Sequence, residues 1–289
     1  MTPTIDAELV LDVRAEVGEG PAWDAHGARL VWVDILRSSV HELRQAGRAF
    51  RTRTWRVSEH VGAAVPRAGG GLLLASTSGF SRLDERGRER RHLKVEANRP
   101  ENRMNDGKCD PQGRLWAGTM PYDEGAGGGA LYRLDPDGTV HTILTDVGLS
   151  NGMGWSPDGG TFYYIDTPTQ RVGAYDFDSD SGQITNARSL LTIEEGAGRP
   201  DGMTVDDEGH LWVALFGGGE VRRYTPEGKL DAVVPLPASQ VTNCAFGGPD
   251  LDELYITTAA RGRDDEPRAG GLFRCRPGVT GPPATPFAG

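Results

Sequence analysis

The sequence predicts an all-β protein, namely a six-bladed β-propeller with four antiparallel strands in each blade. The main observation is an internal repeat, in which a short apolar segment, a glycine-containing turn and a second apolar strand recur six times. The second strands begin 42 to 49 positions apart, at Leu30, Leu72, Leu115, Phe162, Leu211 and Leu254. A period in the forties with several short strands per unit is typical of propellers.

Composition and the chain ends agree with this fold. The 289 residues include 41 glycines and 19 prolines, which favours many short strands joined by tight turns. Residues 5–14 alternate like a strand but precede the first repeat. We expect them to pair with the last blade as its missing outer strand, because an open sheet edge invites aggregation. Residues 1–289 are then one domain, with an irregular or loosely attached tail at 277–289.

Charge and cysteine content exclude several kinds of partner. The net charge of −10 disfavours nucleic acid, since phosphate contacts need a basic face. The three cysteines match no zinc or redox spacing and indicate a reducing compartment. The sequence shows no signal peptide and no apolar run long enough to cross a bilayer. We therefore expect a cytoplasmic monomer or small homo-oligomer that binds neither nucleic acid nor membrane.

The start of each blade's first strand predicts a functional site. In a propeller these strands line the central channel, so one residue per blade faces the axis, four positions before a bulky apolar residue. The residues at this position are Glu19, Val61, Asn105, Asn151, Asp201 and Thr242, with Asn243 as the alternative in the sixth blade. Any one of them alone is explained by capping of a strand end. The set is not, because carboxylates gathered in a channel repel one another unless a cation lies between them.

Glutamate, asparagine and aspartate oxygens are ligands for hard cations such as Ca²⁺, Mg²⁺ or Mn²⁺. Zn²⁺ also binds carboxylates, although it usually takes histidine or cysteine, and neither residue type aligns here. Three protein ligands would leave positions free for water and substrate, as a catalytic metal requires. We expect one divalent cation in the channel.

Five segments from blades one and three to six carry a family resemblance: GEGPAW, RMNDGKCDPQGRLWAGTM, GLSNGMGWSPDG, RPDGMTVDDEGHLWVA and VTNCAFGG. In them the sequence resembles the gluconolactonase/regucalcin (senescence marker protein) family of sugar lactonases. The resemblance implies that Glu19, Asn151 and Asp201 ligate the metal. It also implies that Arg103 and Asn105 contact the hydroxyls or ring oxygens of a sugar.

The last candidate substrate-binding residue lies in the loop after AGTM. Family members often have a substrate-binding glutamate there, and this sequence has Asp123, followed by Glu124. The implied activity is hydrolysis of a small sugar lactone, with the metal polarising the carbonyl and Asp201 also acting as general base on water. The sequence contains no Gly-x-Ser-x-Gly motif, which disfavours a covalent serine mechanism.

Two other functions stay open on the sequence alone. A metal-containing propeller can also hydrolyse organophosphates or aryl esters, because a Lewis acid and water serve both kinds of ester. A non-catalytic calcium-binding propeller would bind the ion without turnover, and the fold by itself does not choose among these functions.

Overall fold

Short apolar strands, rich in β-branched and aromatic residues, build the ring. In the computed structural model, which describes residues 2–46, 49–125 and 127–289, twenty-four strands form six four-stranded antiparallel sheets. The predicted six-bladed propeller is confirmed. Helical structure within the described residues is limited to a 3₁₀ turn at Thr167–Thr169. No helix in that part of the chain is both long and apolar enough to cross a bilayer.

The blades follow one another along the chain, each with its first strand innermost. Blade one contains β2 (Gly18–Asp24), β3 (Arg29–Asp34), β4 (Ser39–Ala46) and β5 (Ala49–Arg56); blade two contains β6 (Val61–Pro66), β7 (Leu72–Ser76), β8 (Gly79–Leu83) and β9 (Glu89–Lys94); blade three contains β10 (Asn102–Cys109), β11 (Leu115–Pro121), β12 (Gly129–Leu134) and β13 (Val140–Val147). Blade four contains β14 (Ser150–Trp155), β15 (Thr161–Asp166), β16 (Arg171–Asp178) and β17 (Gln183–Thr192); blade five contains β18 (Arg199–Val205), β19 (Leu211–Phe216), β20 (Glu220–Tyr224) and β21 (Leu230–Pro235); blade six contains β22 (Val241–Gly247), β23 (Glu253–Thr258), β24 (Leu272–Cys275) and the N-terminal β1 (Glu8–Leu11).

The N-terminal strand closes the ring, as the sequence predicted. Strand β1 pairs antiparallel with β24 as the outermost strand of blade six, with Leu9 opposite Phe273. Leu9 also packs against the apolar cluster formed by blades five and six. The last blade is therefore completed by the beginning of the chain, and its outer edge is covered.

The innermost strands share a backbone irregularity next to the channel. Each shifts register beside its axis-facing residue, hereafter a hub residue: Glu19, Val61, Asn105, Asn151, Asp201 and Thr242. Such shifts re-aim a side chain relative to the regular pleat.

Glycine follows several hub residues because neighbouring inner strands approach closely there. A Cβ on Gly152 would lie 2.6 Å from the Asp201 carbonyl oxygen, and one on Gly202 would lie 2.0 Å from Asn243 Cγ. The glycines in the Asn-Gly and Asp-Gly pairs thus let the hub residues converge.

The C-terminal tail, residues 277–289, contains no strand but is held against the ring. Phe287 is buried in the apolar cluster of blades two and three, with 1% of its surface exposed. Its N–H donates to the Pro66 carbonyl at 2.8 Å, and the Ala288 N–H donates to the Gly113 carbonyl at 3.0 Å. The end of the chain therefore ties blades two and three together.

Replacing Phe287 with alanine should lower the free energy of unfolding by about 3–5 kcal/mol, because it leaves a cavity between blades two and three. Equilibrium denaturant unfolding measures this change. Leu230 in β21, which is 42% exposed, offers a control. Leu230→Ala should change the free energy of unfolding by less than about 0.5 kcal/mol. Similar losses in the two variants would contradict a tail that stabilises the ring.

Candidate functional site

The polar hub residues line a cavity of about 540 Å³ at one end of the channel. Its polar wall is formed by Glu19, Arg103, Asn105, Tyr122, Asp123, Glu124, Asn151, Thr167, Arg199, Asp201, Gln240, Thr242 and Arg261. The six residues that the sequence singled out for metal or substrate binding are all among them. Val61 is not part of this wall and packs instead in the apolar cluster of blades one and two.

The cavity gathers carboxyl groups away from water. Glu19 is 4% exposed and Asp201 is 7% exposed. Burial, and then the charge of Asp106, raise the pKa of Glu19 to about 8. Burial, followed by the charges of Glu19 and Asp106, raises the pKa of Asp201 well above its usual range. Without a cation, ionising these groups together is therefore unfavourable.

Asn151 presents an oxygen that the protein does not satisfy. Its Nδ2 donates to Thr167 Oγ1 at 3.0 Å, and that hydroxyl donates in turn to the Pro200 carbonyl at 2.8 Å. This chain fixes the amide and leaves Oδ1 of Asn151 buried without a hydrogen-bond partner. Buried acceptors without a donor are rare in folded proteins, and a bound ion can supply the missing partner.

A divalent cation fits this set of donors. One amide oxygen and two carboxylates are ligands that hard cations prefer. The two negative charges of the carboxylates balance the two positive charges of the ion. Two independent observations indicate a bound cation. They are the unpartnered oxygen of Asn151 and the close approach of the buried acids Glu19 and Asp201.

Asn243, the alternative hub position in the sixth blade, hydrogen-bonds two of the buried acids. Its Nδ2 donates to Glu19 Oε2 at 2.9 Å and to Asp106 Oδ2 at 3.2 Å, while its Oδ1 accepts the Cys244 N–H at 2.8 Å. The Gly20 N–H also donates to Glu19 Oε2, at 2.7 Å. Among the described residues, both donors to Glu19 therefore use Oε2, and neither of them bonds Oε1.

Thr242 occupies the cavity wall but its hydroxyl is engaged. Its Oγ1 donates to the Gly18 carbonyl and lies 2.9 Å from Thr257 Oγ1. Thr242 is thus the hub residue of blade six, and Asn243 lies behind it against Glu19. Thr167, which orients Asn151, follows β15 and has no signal in the repeat pattern that would have identified it.

Arg103 and Asn105 form a connected pair beside the carboxylates. Arg103 Nη1 donates to Asn105 Oδ1 at 2.8 Å and to the Met104 carbonyl at 3.0 Å. Asn105 Nδ2 donates to the Ser150 carbonyl in blade four at 2.9 Å. Burial lowers the pKa of Arg103, while nearby Tyr122 and Glu19 act in the opposite direction. The pair places a hydrogen-bond-donating cation on the cavity wall that also contains Glu19 and Asp201.

The loop after β11 supplies the outer wall. Asp123 lines the cavity but is exposed, and its Oδ1 accepts the Gly125 N–H at 3.0 Å. Glu124 pairs with Arg199 of blade five at 3.2 Å. Ala126 of this loop lies outside the described residues. The loop therefore places two acids at the mouth, and the second of them links blades three and five.

The charges of a second cluster of acidic residues are neutralised without a metal ion. The ligand atoms of Asp206, Glu208 and His210 lie within 4.8 Å of one another. Arg223 already neutralises the acids of this turn, because its Nη2 lies 2.7 Å from Asp206 and 2.5 Å from Glu208. Asp206 also accepts the indole N–H of Trp212 at 3.0 Å. This cluster resembles a structural ion-pair network more than a metal site.

A second cavity, of about 310 Å³, lies at the other end of the channel. Asp106 and Asn243 line it together with apolar residues such as Trp155 and Phe246. Its lysine, Lys108, donates to the Met203 carbonyl at 2.7 Å. Glu19 and Asp201 do not line this cavity, so the first cavity is the candidate site.

Comparison with known proteins gives a consistent result. Residues 17–260 match the family described as the SMP-30/gluconolactonase/LRE-like region. The chain is 40% identical to YvrE of Bacillus subtilis, provisionally named a sugar lactone lactonase, and 39% identical to regucalcin of Danio rerio. Each alignment covers 99% of both chains. A solved regucalcin structure from Agrobacterium tumefaciens, described as a calcium-binding protein, has a TM-score of 0.93 at 30% identity, covering 99% of both chains.

The cation-free protein should lose stability as the pH rises from about 5 to about 8. The folded state raises the pKa of Glu19 to about 8, so the folded protein holds this proton more tightly than the unfolded chain does. The resulting stabilisation is complete below the unfolded pKa and is lost as the pH rises through the folded pKa.

Thermal unfolding in the presence of a chelator, followed across this pH range, measures the effect. Glu19→Gln removes the titrating group, so the Tm of this variant should depend less on pH than that of the wild type. An unchanged pH dependence in Glu19→Gln would show that Glu19 is not under the electrostatic stress described here.

Proposed function

The chain belongs to the SMP-30/gluconolactonase/LRE-like family, and from this premise we propose that it hydrolyses sugar lactones to aldonic acids with the help of one divalent cation. The name of the Bacillus subtilis relative supports the substrate class. The observation that carries the proposal is the buried, unpartnered Oδ1 of Asn151 beside two carboxyl groups of raised pKa, in a cavity shared with Arg103.

Glu19, Asn151 and Asp201 would hold the cation. When bound, the ion supplies Lewis-acid chemistry, which polarises an ester carbonyl and stabilises the negative charge that develops on its oxygen. Calcium, magnesium, manganese and zinc are all compatible with the oxygen donors, and calcium agrees with the description of the Agrobacterium tumefaciens regucalcin.

The other residues orient the substrate. A sugar lactone is a ring ester that carries several hydroxyl groups, so it needs donors and acceptors around it. Arg103 offers guanidinium N–H groups, and Asp123 and Glu124 offer carboxylate oxygens at the mouth. Asn105 holds the Arg103 guanidinium through a 2.8 Å hydrogen bond. Because the guanidinium is already restrained before substrate binds, Arg103 loses less conformational entropy on binding.

Asp201 is the proposed general base. Hydrolysis requires water to lose a proton as it attacks the carbonyl carbon, after which the ring C–O bond breaks and the leaving alkoxide is protonated. Asp201 lines the same cavity that would hold the cation and the lactone, so its carboxylate is the proposed acceptor of the water proton.

A covalent route has less support. Among the described residues that line the cavity there is no serine, cysteine or histidine. The two threonines in the wall, Thr167 and Thr242, both direct their hydroxyls to backbone carbonyls. The described residues of the wall therefore provide no serine, cysteine or threonine nucleophile activated by a neighbouring base.

Asp201→Asn should reduce kcat/KM for an aldonolactone by at least about a hundredfold while leaving the fold intact, because it removes a ligand charge and the base together. Hydrolysis followed by acid release, with circular dichroism as the check on folding, measures this. Asp158→Asn, at an exposed turn, is the matched control.

The same assay separates the competing functions. Chelated wild-type protein should be inactive and should regain activity when a suitable divalent ion is added back. Undiminished lactone hydrolysis after chelation would overturn the metal proposal. Turnover of aryl esters or organophosphates without lactones would favour the other hydrolase function, and ion binding without any turnover would favour a calcium-binding protein.

Asn243→Ala should weaken divalent-ion affinity about 10–100-fold, because hydrogen-bonding partners of a ligand hold it in place. Calorimetric titration of the chelated and dialysed protein with Ca²⁺ and Mn²⁺ measures this directly. The control is Asn186→Ala, since Asn186 is exposed and bonds Asp176 at 2.7 Å on an outer strand. Unchanged affinity in Asn243→Ala would exclude a role for Asn243 in positioning Glu19.

A further inference from the structure

Tyr122 is an aromatic side chain on the cavity wall that the proposed chemistry does not use. It follows β11 directly and keeps 42% of its surface exposed. Large apolar side chains with this much exposure are few among the described residues, where Leu230 is the other example. An exposed ring at the mouth of a polar cavity is a candidate contact for a ligand.

The ring is exposed but held in place. The Tyr122 backbone N–H donates to the Glu101 carbonyl at 2.9 Å. Its phenolic oxygen lies 2.8 Å from His60 Nδ1 and 3.3 Å from Thr77 Oγ1. The His60 ring also meets the tyrosine ring edge-on, with centroids 5.7 Å apart. Residues flanking β6 and β7 of blade two therefore anchor a side chain that blade three provides.

The anchored ring adjoins the proposed sugar-binding arginine. The Arg103 guanidinium carbon lies 6.0 Å from the centroid of the Tyr122 ring and over its face. Arg103 is bonded to Asn105 at the same time. The ring thus borders the group that would bind substrate hydroxyls, and it limits the positions that the guanidinium can take.

A sugar lactone has two kinds of surface that suit this wall. Its hydroxyls need polar partners, and the C–H groups of its ring form an apolar face. Rigid aromatic side chains bury such apolar area at little entropic cost because they have only two rotatable side-chain bonds. An unsubstituted aliphatic lactone has no hydroxyl groups for Arg103 to bind. Its ring is therefore not positioned against Tyr122.

We propose that Tyr122 is a specificity-determining residue, which stacks against the C–H face of a cyclic sugar lactone and holds Arg103 ready for its hydroxyls. This inference rests on the proposed lactonase function. The proposal also gives blade two a role at the site. The hub residue of this blade is the apolar Val61, and the blade supports the site through the contacts of His60 and Thr77 with Tyr122.

Kinetics on two substrates test the proposal. For a δ-aldonolactone, Tyr122→Ala should raise KM about tenfold and change kcat less than about threefold, because the contact is made equally in the ground and transition states. Tyr122→Phe keeps the ring and should stay within about threefold of the wild-type KM. For unsubstituted δ-valerolactone, Tyr122→Ala should change kcat/KM less than about twofold. Leu230→Ala is the matched control for loss of an exposed apolar side chain.

An unchanged KM for the sugar lactone in Tyr122→Ala, or equal losses on both lactones, would overturn the proposal. A binding measurement keeps it separate from the proposed function. Calorimetry with 1,5-anhydroglucitol, a cyclic polyol without an ester, should show about tenfold weaker binding to Tyr122→Ala than to wild type.

If the wild type binds this polyol in a Tyr122-dependent way but hydrolyses no lactone, the lactonase proposal fails and the role of Tyr122 stands. If turnover is present and Tyr122→Ala leaves both KM and polyol binding unchanged, only the role of Tyr122 fails. Absence of both turnover and polyol binding in the wild type overturns both.

Discussion

The convergence of buried carboxyl groups at the hub is the constraint on which the rest of the site depends. Glu19 and Asp201 come from blades one and five, and both have raised pKa values because they are out of water and near other acids. Such an arrangement costs stability unless something offsets the charge. The unsatisfied oxygen of Asn151 also indicates a bound cation, since one ion would both accept this oxygen as a ligand and neutralise the carboxylates.

The backbone explains how distant residues meet. Register shifts turn the hub side chains, and the glycines after them remove the Cβ atoms that would clash with the next blade, as at Gly152 and Gly202. Outside this centre, β1 completes blade six, and the tail around Phe287 joins blades two and three. Rigid closure matters because a loose ring would let the ligands separate, and metal sites depend on fixed geometry.

The sequence predicted the fold well because propeller repeats are local and periodic, so the blade count, the closing strand and the hub positions follow from spacing. It was less informative where the contacts depend on three-dimensional neighbours. The role of Asn243 depends on Glu19, which lies at the far end of the chain, and Thr167 sits outside the repeat. Tyr122 gains its anchors from blade two, and spacing alone could not connect it with His60.

Anomalous diffraction from crystals grown with Mn²⁺ tests the metal-centred hub most directly, because it locates the ion without assuming any activity. We expect a peak at the hub with oxygens of Glu19, Asn151 and Asp201 all within about 2.0–2.6 Å of it. A hub without a peak, or an ion held only by Asp206, Glu208 and His210, would contradict a cation shared by blades one, four and five.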